Sequence, residues 1–344
     1  MRVFLNPSNQ GSGLNFFLST TGNGLMLAAR NSDGQWAVES TLDGQEIICL
    51  SQDRNHAGTV YAGSRGHGVL RSIDHGKTWS PAGLSGHTVK VINASRVAPG
   101  VVYAGTKPAM IFVSRDQGGH WEELASFRKI FSRRFWFSPA EAPHSAYVQG
   151  IALSPTDQDV IVAGIEAGAV VRTTDGGKTW EDHRKGALRD CHSITFHASN
   201  GDWAYEAGGT GTGAAVSRDG GRTWVQTRAG LDRHYGWACA ADPEHPEVCY
   251  VSVSPSPYKA HSDGNAQAYI FRSNHDGEWQ KLGGGLPQPL DHMPYALLTD
   301  PAEPGTVYAG LSNGDVWRSR DLGNSWEQLP FNLKSINRSM IMFF

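Results

Sequence analysis

Residues 173–180 read TTDGGKTW, and near-copies stand at 72–79 (SIDHGKTW), 114–121 (SRDQGGHW), 217–224 (SRDGGRTW) and 319–326 (SRDLGNSW). The shared pattern is Ser/Thr-x-Asp-x-Gly-x-x-Trp. A short Asp side chain accepts hydrogen bonds from the backbone N–H groups just after it and closes a tight turn. Gly supplies the positive φ such a turn needs, and Trp opens the next strand with a large apolar surface. Two worn copies, SDGQW at 32–36 and SNHDGEW at 273–279, complete the set. The tryptophans are Trp36, Trp79, Trp121, Trp180, Trp224, Trp279 and Trp326, spaced 42 to 59 residues apart. A unit of this size cannot bury its own faces, so the chain must stack similar units side by side.

Each unit reads as four short strands. In the last one they are PYALLTD (294–300), TVYAG (306–310), VWRSR (316–320) and SWEQL (325–329), and the Asp turn joins the final two. The runs are rich in Val, Ile and Tyr and bounded by Gly, Pro and Asn, as antiparallel hairpins require. Seven such units predict an all-β, seven-bladed β-propeller spanning 1–344 as one domain. The first unit lacks a first strand, while SINRSMIMFF (335–344) stands where an eighth first strand would fall. The C-terminus is therefore expected to close the ring by pairing with the N-terminal blade, which removes an exposed sheet edge. The box tryptophans are expected to lie between blades.

A net charge of −3 gives no reason to expect nucleic acid as a partner. No apolar run reaches membrane-span length, and nothing indicates a nucleotide cofactor. The start, MRVFLNPSNQGSG, has no apolar signal-peptide core, which points to the cytoplasm. Cys49, Cys191, Cys239 and Cys249 form no C-x-x-C pair and read as free, buried thiols.

Because the octets join third strands to fourth strands, all of them share one rim. The connection from each fourth strand to the next innermost strand lines the opposite mouth of the channel, where function is to be sought. Those connections carry His87, His144, His192, His234 and His292. Neutral imidazoles converging from several strands are candidate ligands for a divalent metal ion. Hydrogen bonding to a neighbouring blade's backbone, or a metal-free ligand site, are the competing roles. Asp190, Glu166, Glu206 and Tyr295 are candidate catalytic groups on the same rim, and Asp190 precedes His192 closely enough to orient its ring. Residues 122–143 form a long insertion in which Arg128, Arg133 and Arg134 alternate with aromatic residues. It is expected to act as a lid or protein-docking surface. With Tyr147, Tyr258, Arg189 and Arg233, its arginines are candidate substrate contacts.

The octet pattern resembles that of the Asp-box (BNR-repeat) β-propellers, which include sialidases, xyloglucan-degrading enzymes, sortilin-type receptors and photosystem II assembly factors. The resemblance covers nearly the whole chain and implies the fold, but this scaffold hosts enzymes, receptors and chaperones alike. The Phe/Tyr-Arg-Ile-Pro motif of sialidases is missing, since SFRKIF at 126–131 follows a box and lacks the Pro. The expectation is a metal-dependent hydrolase or lyase acting on a small anionic or carbohydrate-like molecule. The alternative is a non-catalytic protein-binding scaffold like the assembly factors.

Overall fold

The computed structural model describes residues 16–31, 33–274 and 277–343. The start on which the compartment expectation rests, and parts of the two worn boxes, lie outside the described residues. Seven antiparallel sheets follow one another along the chain. Five have four strands. In blades 4 and 5 the fourth strand shortens to single bridges, Arg172 to Glu181 and Val216 to Val225. The chain is a seven-bladed β-propeller.

Ring closure follows the expected route. Met340–Phe343 is the innermost strand of blade 1 and runs antiparallel to Phe16–Thr20, pairing Phe16 with Phe343 and Ser19 with Met340. Apolar residues on both strands are buried in the seams toward blades 2 and 7, so closure joins hydrogen bonding to hydrophobic burial.

The boxes form the turns that their residue types dictate. Asp175 accepts a hydrogen bond from the Thr179 amide at 2.9 Å and another from its hydroxyl at 2.6 Å. Thr173 Oγ1 accepts from the Gly177 amide at 3.0 Å. These donors, the Thr179 hydroxyl first, hold the Asp175 carboxyl down at about 2. The same geometry recurs at Asp74, Asp219 and Asp321. Burial of the tryptophans is uneven. Trp224, Trp279 and Trp326 are buried, whereas Trp180 is only half-buried and its indole N–H has no partner among the described residues.

A second repeated feature sets the packing of the inner strands. The second strands of blades 2, 3, 4, 5 and 7 carry an Ala-Gly pair, and a Cβ at Gly164 would stand 2.1 Å from the Cys191 sulfur of blade 5. At Gly63 it would stand 2.5 Å from Cys49 Sγ and 2.6 Å from Val89 of blade 3. Only glycine lets neighbouring inner strands approach this closely. All four cysteines are free and buried in these seams, with burial pushing Cys49, Cys239 and Cys249 up to about 12. Among the described residues no helix is long and apolar enough to cross a membrane.

Deleting residues 335–344 should abolish cooperative folding, and a soluble truncation with unchanged melting would refute the closure. Trp224→Ala should cost about 3–5 kcal/mol. Asp175→Ala, at an exposed turn that water can re-solvate, should cost only about 1 kcal/mol. Denaturant titration that ranks the two the other way would overturn this account of the box.

Candidate functional site at the channel mouth

One device repeats around the channel. In blades 2 to 7 the innermost strand shifts register near its second residue, between Ile47 and Cys49, Val89 and Val91, Val148 and Gly150, Cys191 and Ser193, Gly236 and Cys239, and Pro294 and Ala296. A β-bulge leaves a residue out of the ladder and re-aims its side chain. The side chains so turned into the channel are Ile48, Lys90, Gln149, His192, Trp237 and Tyr295. Blade 1 does the same through the C-terminus. Thr20 O accepts the Asn337 amide at 2.7 Å and the Thr20 amide donates to Ser339 O at 3.0 Å, so Arg338 is left out between them. These seven residues line a channel cavity of about 200 Å³. A larger cleft of about 550 Å³ lies on the box rim, where Arg115 and Glu122 pair with each other at 3.0 Å and Asp175 holds its turn.

The five histidines do not share a structural position, which corrects the expected metal ring. Only His192 occupies a bulge. His87, His234 and His292 fall three residues before Lys90, Trp237 and Tyr295, on the climb over the rim. His87 packs its ring against Phe112 at 5.1 Å. His144 and His234 are exposed, and His292 lies 3.7 Å from Asp263. Among the described residues, the one group able to offer three ligand atoms within 4.8 Å of one another is Glu166, Asp190 and His192.

His192 Nδ1–H donates to the Gly236 carbonyl at 2.7 Å, so its other ring nitrogen presents a lone pair. That nitrogen faces Asp190 at 3.6 Å and Glu166 at 3.8 Å. The ring is buried between Tyr235 and Trp237, with centroids at 4.9 and 4.6 Å. Burial, with the Arg338 charge adding to it, lowers the His192 pKa, and the imidazole is neutral. Glu166 follows the second strand of blade 4, Ile161–Ile165, in the turn toward the third. Burial first, and then the adjacent Asp190 charge, push its carboxyl up to about 8. Glu166 is therefore protonated at neutral pH, while Asp190, more open to solvent, accepts the Ala167 amide at 3.1 Å. In the neighbouring blade 6, His261 packs against the Tyr235 and Trp237 rings and bridges the Tyr235 hydroxyl at 2.9 Å and the Tyr295 hydroxyl at 2.6 Å.

Other expected groups lie elsewhere. Glu206 is not on the rim but sits mid-strand in blade 5, about 1% exposed, where its carboxyl accepts the Leu188 amide at 2.9 Å. Burial raises its pKa well above the carboxylate range, which marks a protonated structural group. The 122–143 insertion is not a basic lid. Its two 3-10 turns, Ala125–Lys129 and Phe131–Phe135, clip the outer cleft between blades 3 and 4, where Phe127 and Trp136 are buried against Trp180 and both sheets. Arg128 pairs with Glu123, and Arg134 stacks on Phe131 at 3.8 Å, all outside the channel. Arg133 lies over the Phe127 ring at 5.6 Å. What the insertion delivers to the mouth is acidic: Glu141 binds Lys90 at 2.6 Å, Lys107 at 3.4 Å and Arg65 at 3.2 Å. Arg233 is bound to Asp232 at 2.8 Å and lies over the Tyr269 ring; Arg189 and Tyr258 are exposed. Tyr147 is buried, with Lys90 4.2 Å over its ring.

Lys90, Trp237 and Arg338 thus belong to the site although none was a candidate in sequence. The bulge positions that place them leave no mark in the sequence, so no signal there could have found them. Glu166 carries a pH signature. Its pKa rises from the ordinary 4.5 to about 8 on folding, so its contribution to stability is fully present below the lower value. That contribution is lost as pH rises through the higher one. Stability should therefore fall between pH 5 and about 8, and Glu166→Gln should flatten that slope, leaving the part due to Glu206. An unchanged slope in the variant would show that Glu166 titrates normally.

No family model matches the chain. It is 25% identical over 221 residues to an oligoxyloglucan-reducing end-specific xyloglucanase from Emericella nidulans, which covers 59% of this chain and 26% of that protein. The chain spans about a quarter or less of the length of the curated relatives it matches. The GH74 xyloglucanase structure from Xanthomonas campestris superposes with a TM-score of 0.64 at 16% identity, covering 93% of this chain and 54% of that one. YCF48 bound to D1 peptide superposes with a TM-score of 0.54 at 17% identity, covering 82% and 81%. The chain is a seven-bladed β-propeller with GH74 xyloglucanase and YCF48 propellers among its structural neighbours.

Proposed function

We propose that the channel mouth is the active site of a glycan-acting enzyme of the glycoside-hydrolase type. The observation that carries this reading is Glu166, a buried carboxyl kept protonated at neutral pH beside the Asp190 carboxylate. A buried carboxyl raised into the neutral range beside a second, more solvent-open carboxyl is the pattern of a general acid and its partner. Glu166 donates its proton to the departing glycosidic oxygen as the bond to the sugar carbon breaks. Asp190 offers negative charge to the positive sugar carbon. Water then adds to that carbon, and its proton returns to the carboxyl pair. The aromatic side of the ring, Trp237 and Tyr295, offers an apolar face for a sugar. Relatives named as xyloglucanases support the carbohydrate class.

Two carboxylates and one imidazole nitrogen are also a donor set that suits a divalent cation. Glu166, Asp190 and His192 would hold it, and it would supply polarisation of a bound oxygen. Elemental mass spectrometry separates the two forms of the proposal. A stoichiometric metal lost in His192→Ala would recast Glu166 as a ligand rather than an acid.

A protein-binding role has its own observation. Phe131 and Phe135 are 64% and 71% exposed on the insertion, with ring centroids 6.4 Å apart, an aromatic pair open to solvent. The YCF48 neighbour bound to a peptide supports this second reading.

The test is turnover of a panel of neutral and acidic oligosaccharides. Glu166→Gln should lower kcat by about 10²- to 10⁴-fold. Because the acid must be protonated, the wild-type rate should fall as pH rises through about 8. No turnover of any member, or a Glu166→Gln enzyme as fast as wild type, would sink the hydrolase reading.

A further inference from the structure

The seven bulged residues divide the channel mouth into an aromatic side and a cationic side. On the cationic side, one carboxylate serves three cations. Glu141 contacts Lys90, Lys107 and Arg65 together, and Arg65 also reaches Glu46 at 3.4 Å. Arg338 has no such partner: among the described residues its guanidinium makes no hydrogen bond or ion pair. Its charge nevertheless acts on Lys90, Glu166, His192, His261 and Tyr295, groups from blades 3 to 7. It therefore reaches into the mouth instead of lying along the outer wall. A side chain turned into a cavity by a bulge, with its five donors unspent, is a receptor for an oxyanion.

A second orphan narrows the oxyanion. Gln149, beside Lys90 in the ring, has a buried Oε1 with no hydrogen-bond donor, while its amide nitrogen reaches the His192 carbonyl at 3.4 Å. Sulfate would satisfy Arg338 but brings no donor to Gln149, and inorganic phosphate, which keeps a P–OH donor at neutral pH, has no apolar face for Trp237 and Tyr295. A sugar acid brings both, a carboxylate and neighbouring hydroxyls, and it also has an apolar ring face for Trp237 and Tyr295.

We infer that Arg338 and Gln149 form a carboxylate-and-hydroxyl subsite, and that the glycan bound at this mouth carries a uronic acid residue. The inference rests on the proposed carbohydrate reading of the same site and names its substrate class. The carboxylate forks onto Arg338, with Lys90 behind it, and a ring hydroxyl donates to Gln149. This arrangement holds the sugar in the roughly 200 Å³ cavity that His192, next to Glu166, also lines.

The test is binding, which needs no turnover. Methyl glucuronide and methyl galacturonide are titrated calorimetrically against wild type, beside the uncharged methyl glucoside and methyl galactoside and inorganic phosphate. The sugar acids should bind about tenfold or more tightly than the neutral sugars, the value of one charge-assisted contact. Arg338→Asn and Arg338→Gly should erase that preference while leaving neutral-sugar binding in place. Arg338 has a φ of 79°, which Asn and Gly tolerate, so both variants should fold, and their melting is measured alongside. Equal binding of acid and neutral sugars, retention of the preference without Arg338, or phosphate competing as well as the sugar acids would overturn the subsite. Repeating the titration with Glu166→Gln separates the two proposals. Acid-selective binding without turnover in wild type sinks the hydrolase reading alone. Turnover of neutral glycans that ignores Arg338 sinks the subsite alone.

Discussion

The pairing of the last strand with the first is the constraint on which the remaining structure depends. Four residue pairs between Phe16–Ser19 and Met340–Phe343 turn an open row of blades into a ring. Without them, two apolar seams would face water and the innermost sheet edges would be unpaired. The same closure places Arg338. It stands between two backbone contacts to Thr20, so the register of the closing strand decides where its guanidinium goes. Closure and the cationic side of the channel are one event.

The inner bulges connect that scaffold to chemistry. A regular innermost strand would keep each second residue in the ladder with its neighbours. Slipping the register frees one side chain per blade and brings them to one level of the channel. Neighbouring blades can carry these bulges at short range because glycines such as Gly63 and Gly164 leave room for them. The bulge residues differ in type, so the mouth is polarised: His192, Trp237 and Tyr295 on one arc, Arg338 and Lys90 on another. Glu166 and Asp190 stand beside the aromatic arc, where desolvation holds one of them protonated.

The 122–143 insertion shows how a pattern can be read correctly for chemistry and incorrectly for place. Its alternating Arg and Phe residues predict a basic aromatic surface, and Arg134 on Phe131 is one. What decides its location is Phe127 and Trp136, which bury themselves between blades 3 and 4 and draw the segment onto the outer wall. Only its far end reaches the channel, and there it supplies Glu141. Burial of large apolar rings outweighs any attraction of scattered arginines to the mouth.

The repeat by itself determined the number of blades, the position of the box turns, the closing role of the C-terminus and the rim on which to look. Each depends on local chemistry: an Asp that caps its own turn, a Gly that permits it, and strands whose period fixes their length. Glu166, Asp190 and His192 were also legible as candidates, because their residue types at rim turns are visible in one dimension. Their grouping was not, nor was the scattering of the other four histidines. A shift of one residue in a strand reverses the direction of a side chain, and a bulge makes that shift without marking the sequence. Whether a rim residue faces the channel, the outer wall or a neighbouring blade was decided only when the ring closed.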